Sequence, residues 1–435
     1  MTTAAPASGN SSPIRSTPAS AMVMASSLFF MWGFLTCLND ILIPHLKNIF
    51  DLNYFEVMFV QFAFFSAYFV FAVPAGKLVD SIGYKKSMIV GLIVMAIGAF
   101  LFIPAANVPS FGFFLTALVV LAAGITCLQV SANPFVSILG PPATAASRLN
   151  LTQAFNSFGT TVAPKVGGIF ILSAAALGVA EMHNLSPEML HAYRLQEASS
   201  VKMPYLCIGL VLLALAVSLM LFHFPETTAP VAHDKHTKVS DSIWRHKRLL
   251  MAIVGIFVYV GAEVSIGSFL INYFTQPDTG GLTVKTAASL VSLYWGGAMI
   301  GRFLGSAVLR LVDSAKLLSL AALVAAALVA SSMLSHGHIA VITILAVGFF
   351  NSVMFPTIFT LGIAGLGPLT GKGSGLLIAA IVGGAIIPVV QGHIADVIGI
   401  HHAFFLPVVC YLYIALFGFM SRGTDQLVSE APVAG

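Results

Sequence analysis

The chain has 435 residues, of which 58% are hydrophobic and 8% charged, with a formal net charge of +4. Soluble domains are about one quarter charged, so composition alone excludes a water-soluble globular protein. The basic residues form no cluster interleaved with aromatics, which argues against a nucleic-acid partner.

Residues 1–20 are rich in Ser, Pro, Ala and Thr and lack a charged-then-apolar leader pattern, so a disordered cytoplasmic tail is expected there. Apolar runs follow at 21–44, 55–79, 87–105, 111–139, 149–173, 204–224, 249–275, 285–310, 315–335, 338–365, 373–396 and 402–421. Each approaches the ~20 residues a helix needs to cross the hydrocarbon core, and none alternates as a barrel strand would. The expected class is an all-α membrane protein with twelve spans. Arg15, Lys77, Lys85, Lys86, Arg148, Lys235, Lys238, Arg245, Lys247, Arg248, Arg310, Lys316, Lys372 and Arg422 fall on the side of the N-terminus, against Lys47, Arg194, Lys202 and Lys285 opposite. By the positive-inside rule both termini and the linker at 225–248 are cytoplasmic. The first span acts as its own targeting signal.

Three charged residues lie well inside the spans: Asp40 in the first, Lys165 in the fifth and Glu263 in the seventh. Such a charge costs about 2.5–3.5 kcal/mol even on a lenient insertion scale, and it faces the bundle interior or a watery cavity. At 1.5 Å per residue Asp40 is about 27 Å from its cytoplasmic start and Glu263 about 21 Å, with Lys165 near the depth of Asp40. An ion pair of Asp40 with Lys165 is therefore expected, with Asp40 and Glu263 as proton-coupling candidates. Amides in the spans, Gln129, Asn133, Gln153, Asn156, Asn351 and Gln391, with Asn39 beside Asp40, offer donors and acceptors to a polyol. Interhelical hydrogen bonding is their other use. Tyr259 and Trp295 are the candidates to stack on a sugar face. Cys37, Cys127, Cys207 and Cys410 lie in apolar helices without paired spacing and read as buried small hydrophobes.

The chain repeats itself. Setting 128–140 above 350–362 matches Gln129 with Asn351, Pro134 with Pro356 and Gly140 with Gly362; setting 148–168 above 372–392 matches Arg148 with Lys372, Gly159 with Gly383 and Pro164 with Pro388. Two helices with nearly the same shift imply a duplicated six-helix unit: halves at 21–224 and 249–421, joined by 225–248 and followed by a tail at 422–435. A shift between the two would place Asp40 opposite Glu263. Parallel six-helix halves are the layout of a major-facilitator transporter. The segment GKLVDSIGYKK also fits the loop that superfamily carries between its second and third helices, through Gly76, Asp80, Gly83, Lys85 and Lys86. These residues are expected to lock the cytoplasmic side, and Arg302 in the equivalent segment GRFLGSAVLR is expected to be a gate or packing charge at a helix end and not a ligand contact.

Four stretches, FFMWGFLTCLNDILIP, CLQVSANPFVSILGP, RLNLTQAFNSFG and FPTIFTLGI, resemble the fucose permease branch of the major facilitators, which comprises fucose, galactose and glucose proton symporters. The segment YVGAEVSIGSFLINYF is most similar to bacterial glucose/galactose transporters. The resemblance implies a multi-pass inner-membrane carrier importing a hexose with a cation, most simply H+, in which Asp40 matches the first-helix functional carboxylate and Asn156 the asparagine near the sugar. It departs at Gln129, where fucose permease carries Glu; a Gln cannot exchange a proton, so Glu263 is the candidate replacement. That departure leaves fucose, fructose or mannose, Na+ coupling and uncoupled transport as alternatives. A non-transporting sugar sensor is the alternative of another class. Metalloprotease, hydrolase and nucleotide-loop signatures are missing, so no enzyme, metal or cofactor is expected beyond the co-transported ion. The expected partners are the sugar and lipid, with the chain acting as a monomer.

Overall fold

The structure is a computed structural model, which describes residues 18–50, 59–108, 110–170, 185–224 and 242–422. The described residues are helical, with no strand among them. The N-terminal half contains α1 (Ala19–Phe50), α2 (Phe59–Ile82), α3 (Tyr84–Asn107), α4 (Phe111–Ile138), α5 (Ala145–Phe170), α6 (Pro187–Ser199) and α7 (Lys202–Leu221). The C-terminal half contains α8 (Lys247–Phe274), α9 (Val284–Val308), α10 (Ser314–Leu334), α11 (Gly337–Asn351), α12 (Met354–Ile363), α13 (Thr370–Ala379), α14 (Gly383–Ile398), α15 (Ile400–Ala403) and α16 (Phe405–Met420).

Twelve spans result when the short α6 is set aside and α11 with α12, α13 with α14, and α15 with α16 are each read as one crossing. Among the described residues, ten of the crossings contain a helix long and apolar enough to span by composition alone. The other two are α5 and α9, diluted by residues such as Arg148, Asn150, Gln153 and Asn156 on α5 and Ser292, Arg302 and Ser306 on α9. These two polar helices face each other across the junction of the halves, so the feature that lowers their hydropathy also marks the interface. Two differences from the expected spans stand out. Helix α1 has 32 residues, about 48 Å at 1.5 Å each, longer than the bilayer core requires. Helix α6 lies outside the apolar runs, and its start is fixed by Pro187 in the first turn and by Ser186, whose hydroxyl accepts from Met189 N at 3.3 Å.

Without a hydrophobic drive between helices in lipid, tight packing relies on small residues. Gly159 of α5 sits on the backbone of Phe30 and Phe34 in α1, and Gly124 of α4 sits on Met95 and Gly91 of α3. Pro134 and Pro164 are absorbed into continuous helices, whereas their repeat partners Pro356 and Pro388 follow interruptions. Pro356 lacks an N–H and its ring crowds the carbonyl of Ser352, which ends α11 at Asn351. Of the cysteines, Cys127 and Cys410 are buried and Cys37 partly so; Cys207, expected to be buried, is exposed on α7, a helix that turns much of its surface outward.

Candidate functional site

The C-terminal half carries a polar cluster built on four helices. In α8 side chains tilt toward the cytoplasm, and in the antiparallel α9 they tilt away from it, so Glu263 and Arg302 lean toward one another. Arg302 Nη2 lies 3.7 Å from Glu263 Oε1, and the two side chains are 14% and 13% exposed. One turn earlier on α8, Tyr259 shares its hydroxyl proton between Glu263 Oε1 (2.9 Å) and the backbone oxygen of Asn351 (3.1 Å). That oxygen is within reach because α11 stops there and leaves its last carbonyls free of intrahelical partners. The Asn351 amide is satisfied on both sides: Nδ2 donates to Tyr294 Oη at 2.8 Å, and Oδ1 accepts from Tyr411 Oη at 2.7 Å.

Arg302 also leaves its own half. Its Nη1 donates to Ser157 Oγ on α5, while its backbone oxygen accepts from Asn150 Nδ2 at 2.7 Å. One turn nearer the cytoplasm Ser147 Oγ donates to Ser306 O at 2.5 Å. Farther out, Thr161 contacts Met299 at 3.5 Å. Trp295 lies one turn beyond Met299 on the same face of α9, is 43% exposed, and rests over Gly267 of α8.

A second junction joins α2 to α13. A Cβ on Gly76 would lie 2.8 Å from Gly371 O, and one on Gly375 would lie 2.7 Å from Ala72 O, so the backbones nearly touch. The Asp80 carboxylate occupies the space beside Gly371 in the first turn of α13, where a helix dipole favours an anion, and the Lys372 charge acts on it. Ser374 adds a bond to Val130 O of α4 at 2.8 Å. Gly83 makes the turn into α3 at φ 80°, and Lys85 then closes the end of α7 by donating to Met220 O and Phe222 O, each at 2.9 Å. Lys86 is exposed. Both junctions lie toward the cytoplasmic ends of their helices, so the halves are closed on that side.

The structure separates the predicted binding residues. Asn351 and Tyr259, expected to meet a sugar, are 0% and 1% exposed with their polar atoms engaged inside the protein; they hold the cluster together. Gln129 is buried and donates to Tyr68 Oη at 2.8 Å, which binds α4 to α2. Gln153 is buried, as are Asn133 and Gln391, whose amide atoms have no protein partner. Asn156 is half-buried, and its Nδ2 donates to Phe29 O of α1 at 3.0 Å. Arg302, expected to be a gate or packing charge at a helix end, lies in the α5–α9 junction through Ser157 and Asn150 and is also paired with Glu263. The side chains of Asn39, Asp40 and Lys165 lie outside the described residues. Ser147, Asn150, Ser157 and Tyr411 were not singled out from the sequence. The first three recur at helical spacing on one face of α5, which is the signal that would have found them.

A sequence model described as Major Facilitator Superfamily matches residues 23–381. The chain belongs to the major facilitator superfamily. Over 400 residues it is 52% identical to a protein of Brucella abortus biovar 1 (strain 9-941) named glucose/galactose transporter, covering 92% of this chain and 93% of that one. A crystal structure of the E. coli fucose:proton symporter FucP matches with a TM-score of 0.86 at 35% identity, over 93% of this chain and 99% of that one. A structure of FucP in the outward conformation matches with a TM-score of 0.84, again at 35% identity and over the same shares.

The two halves of this major facilitator correct one expectation. Gly159 packs on Phe30, and its repeat partner Gly383 packs on Phe257 in the same way. Phe30 therefore corresponds to Phe257, a shift of 227 residues, which agrees with the starts of α1 at Ala19 and α8 at Lys247 to within one residue. Asp40 is thus the counterpart of Gly267, and Glu263 that of Thr36. The two acids are not equivalent: Glu263 sits four residues, about 6 Å, nearer the cytoplasm than the position matching Asp40.

Proposed function

We propose that the protein is a bacterial inner-membrane carrier that imports a hexose, glucose or galactose, together with a proton by alternating access, acting as a monomer. The observation that carries this reading is the closure of the halves at their cytoplasmic ends beneath the polar faces of α5 and α9, in a chain 52% identical to a glucose/galactose transporter. That closure leaves the outer approach to the half-exposed Trp295, an aromatic face suited to a sugar ring.

Coupling falls to Asp40. From the contact of α1 with α5 at Phe30–Phe34 and Asn156–Gly159, Asp40 and Lys165 each lie six to ten residues farther out on parallel helices, which supports their pairing. Burying an ionised, unpaired acid during closure of the outer side is costly, whereas a protonated Asp40 crosses that step cheaply. Asp40→Asn is expected to abolish concentrative uptake in proteoliposomes and to spare counterflow; intact uphill uptake would sink the assignment. Alkalinisation of the medium on adding sugar to de-energised cells separates H+ from Na+ coupling and from uncoupled flux. A competition panel against labelled glucose fixes the hexose, with fucose, fructose and mannose as the competing outcomes.

A further inference from the structure

The pair of Glu263 and Arg302 stands at 3.7 Å, beyond a direct hydrogen bond, and Arg302 Nε is buried without a partner. Neither charge is saturated by the other. A hydroxyl both donates and accepts, so one inserted between them would accept from the guanidinium and donate to the carboxylate. Both side chains keep a small exposed fraction, and they lie below Trp295, Arg302 about two turns from it along α9. The same guanidinium ties α9 to Ser157 of α5, within the run of contacts that closes the cytoplasmic side.

We propose that Glu263 and Arg302 form a hydroxyl-reading subsite for the transported polyol, and that Arg302 is at the same time the positioning residue through which occupancy of that subsite acts on cytoplasmic closure. With the subsite empty, Arg302 is held by Glu263 on one side and Ser157 on the other, and α5 stays against α9. A sugar hydroxyl that takes up the guanidinium from the side of Trp295 weakens its hold on Ser157, so binding favours separation of the halves at this end. The polyol is the hexose of the preceding proposal, on which this inference rests. Tyr259 donates to Glu263 and to the backbone oxygen of Asn351, whose amide is in turn fixed by Tyr294 and Tyr411, so the carboxylate is held without competition for the guanidinium.

The test uses the full chain in proteoliposomes, with the deoxyglucose series as probes, each lacking one hydroxyl. Wild type is expected to lose about tenfold in affinity for one member, because its absent hydroxyl leaves a polar group of the site without a partner. Glu263→Gln is expected to bind glucose about tenfold more weakly and to lose that one discrimination while keeping the others; Glu263→Asp serves if Gln does not fold. The tie is read separately, without sugar. In a cysteine-free background, Ser306→Cys marks the closed junction and is expected to react with an impermeant maleimide from the cytoplasmic side several-fold faster when Ser157→Ala is added. Glucose should speed labelling in the Ser157 protein and have little further effect in Ser157→Ala. An unchanged deoxy-sugar profile in Glu263→Gln overturns the subsite, and unchanged labelling in Ser157→Ala overturns the tie. If wild type binds no sugar of the panel, the hexose reading and the hydroxyl arm fall together, and the labelling result alone decides the role of Arg302.

Discussion

Gly33→Ala probes the contact on which the N-terminal half is built. A Cβ at position 33 would lie 2.6 Å from Asn156 Nδ2 and 2.9 Å from the Asn156 carbonyl carbon, and closer still to its oxygen, whereas ordinary contact starts at 3.4 Å. Helix α1 must then move from α5 by roughly 1 Å, an overpacking cost of about 1–3 kcal/mol. The same movement stretches the 3.0 Å bond from Asn156 Nδ2 to Phe29 O past its useful range. Interhelical hydrogen bonds in membranes average about 0.6 kcal/mol, so the expected total is about 2–3 kcal/mol. Thermal unfolding of the purified protein in detergent, run as a double-mutant cycle with Asn156→Ala, measures it. Asn156→Ala alone should cost little, and the double variant should be more stable than the sum of the single losses predicts, because the bond is already broken and the crowded amide is gone. Strict additivity, or wild-type stability for Gly33→Ala, would refute the close approach as the organising contact.

Three further outcomes follow from the geometry. Asn351→Ala leaves the buried hydroxyls of Tyr294 and Tyr411 without their shared partner, about 1–3 kcal/mol for each; a markedly lower unfolding midpoint is expected, and an unchanged one would show that the hub is dispensable. Asp80→Asn removes the anion beside the first turn of α13, so a Ser374→Cys probe at that junction should label faster from the cytoplasm, by up to about fivefold for an interaction of at most 1 kcal/mol. Trp295→Ala is expected to raise KM for glucose by about threefold to tenfold with little change in the unfolding midpoint, since stacking contributes about 0.5–1.5 kcal/mol and the ring is 43% exposed; an unchanged KM places the sugar elsewhere.

What the sequence settled by itself are properties that depend on the solvent around each segment. All twelve crossings were legible as apolar runs, ten of them strongly, and the sidedness from the distribution of Lys and Arg, because insertion acts on one segment at a time. The duplication and the Asp80 loop were legible for the same reason: both are local patterns. Register between helices is not local. A shift between the two repeat offsets placed Asp40 opposite Glu263, and only the contacts of Gly159 with Phe30 and of Gly383 with Phe257 revealed a difference of one helical turn. An amide in a span looks the same in sequence whether it faces a cavity or a neighbouring helix, so Asn351 and Gln129 read as sugar ligands until packing enclosed them. Arg302 is the sharpest case. Its position near the end of α9 suggested a gate or a packing charge; that its guanidinium reaches both Glu263 and Ser157 follows from the opposed tilt of side chains on antiparallel helices, a geometry that exists only once α5, α8 and α9 are brought together.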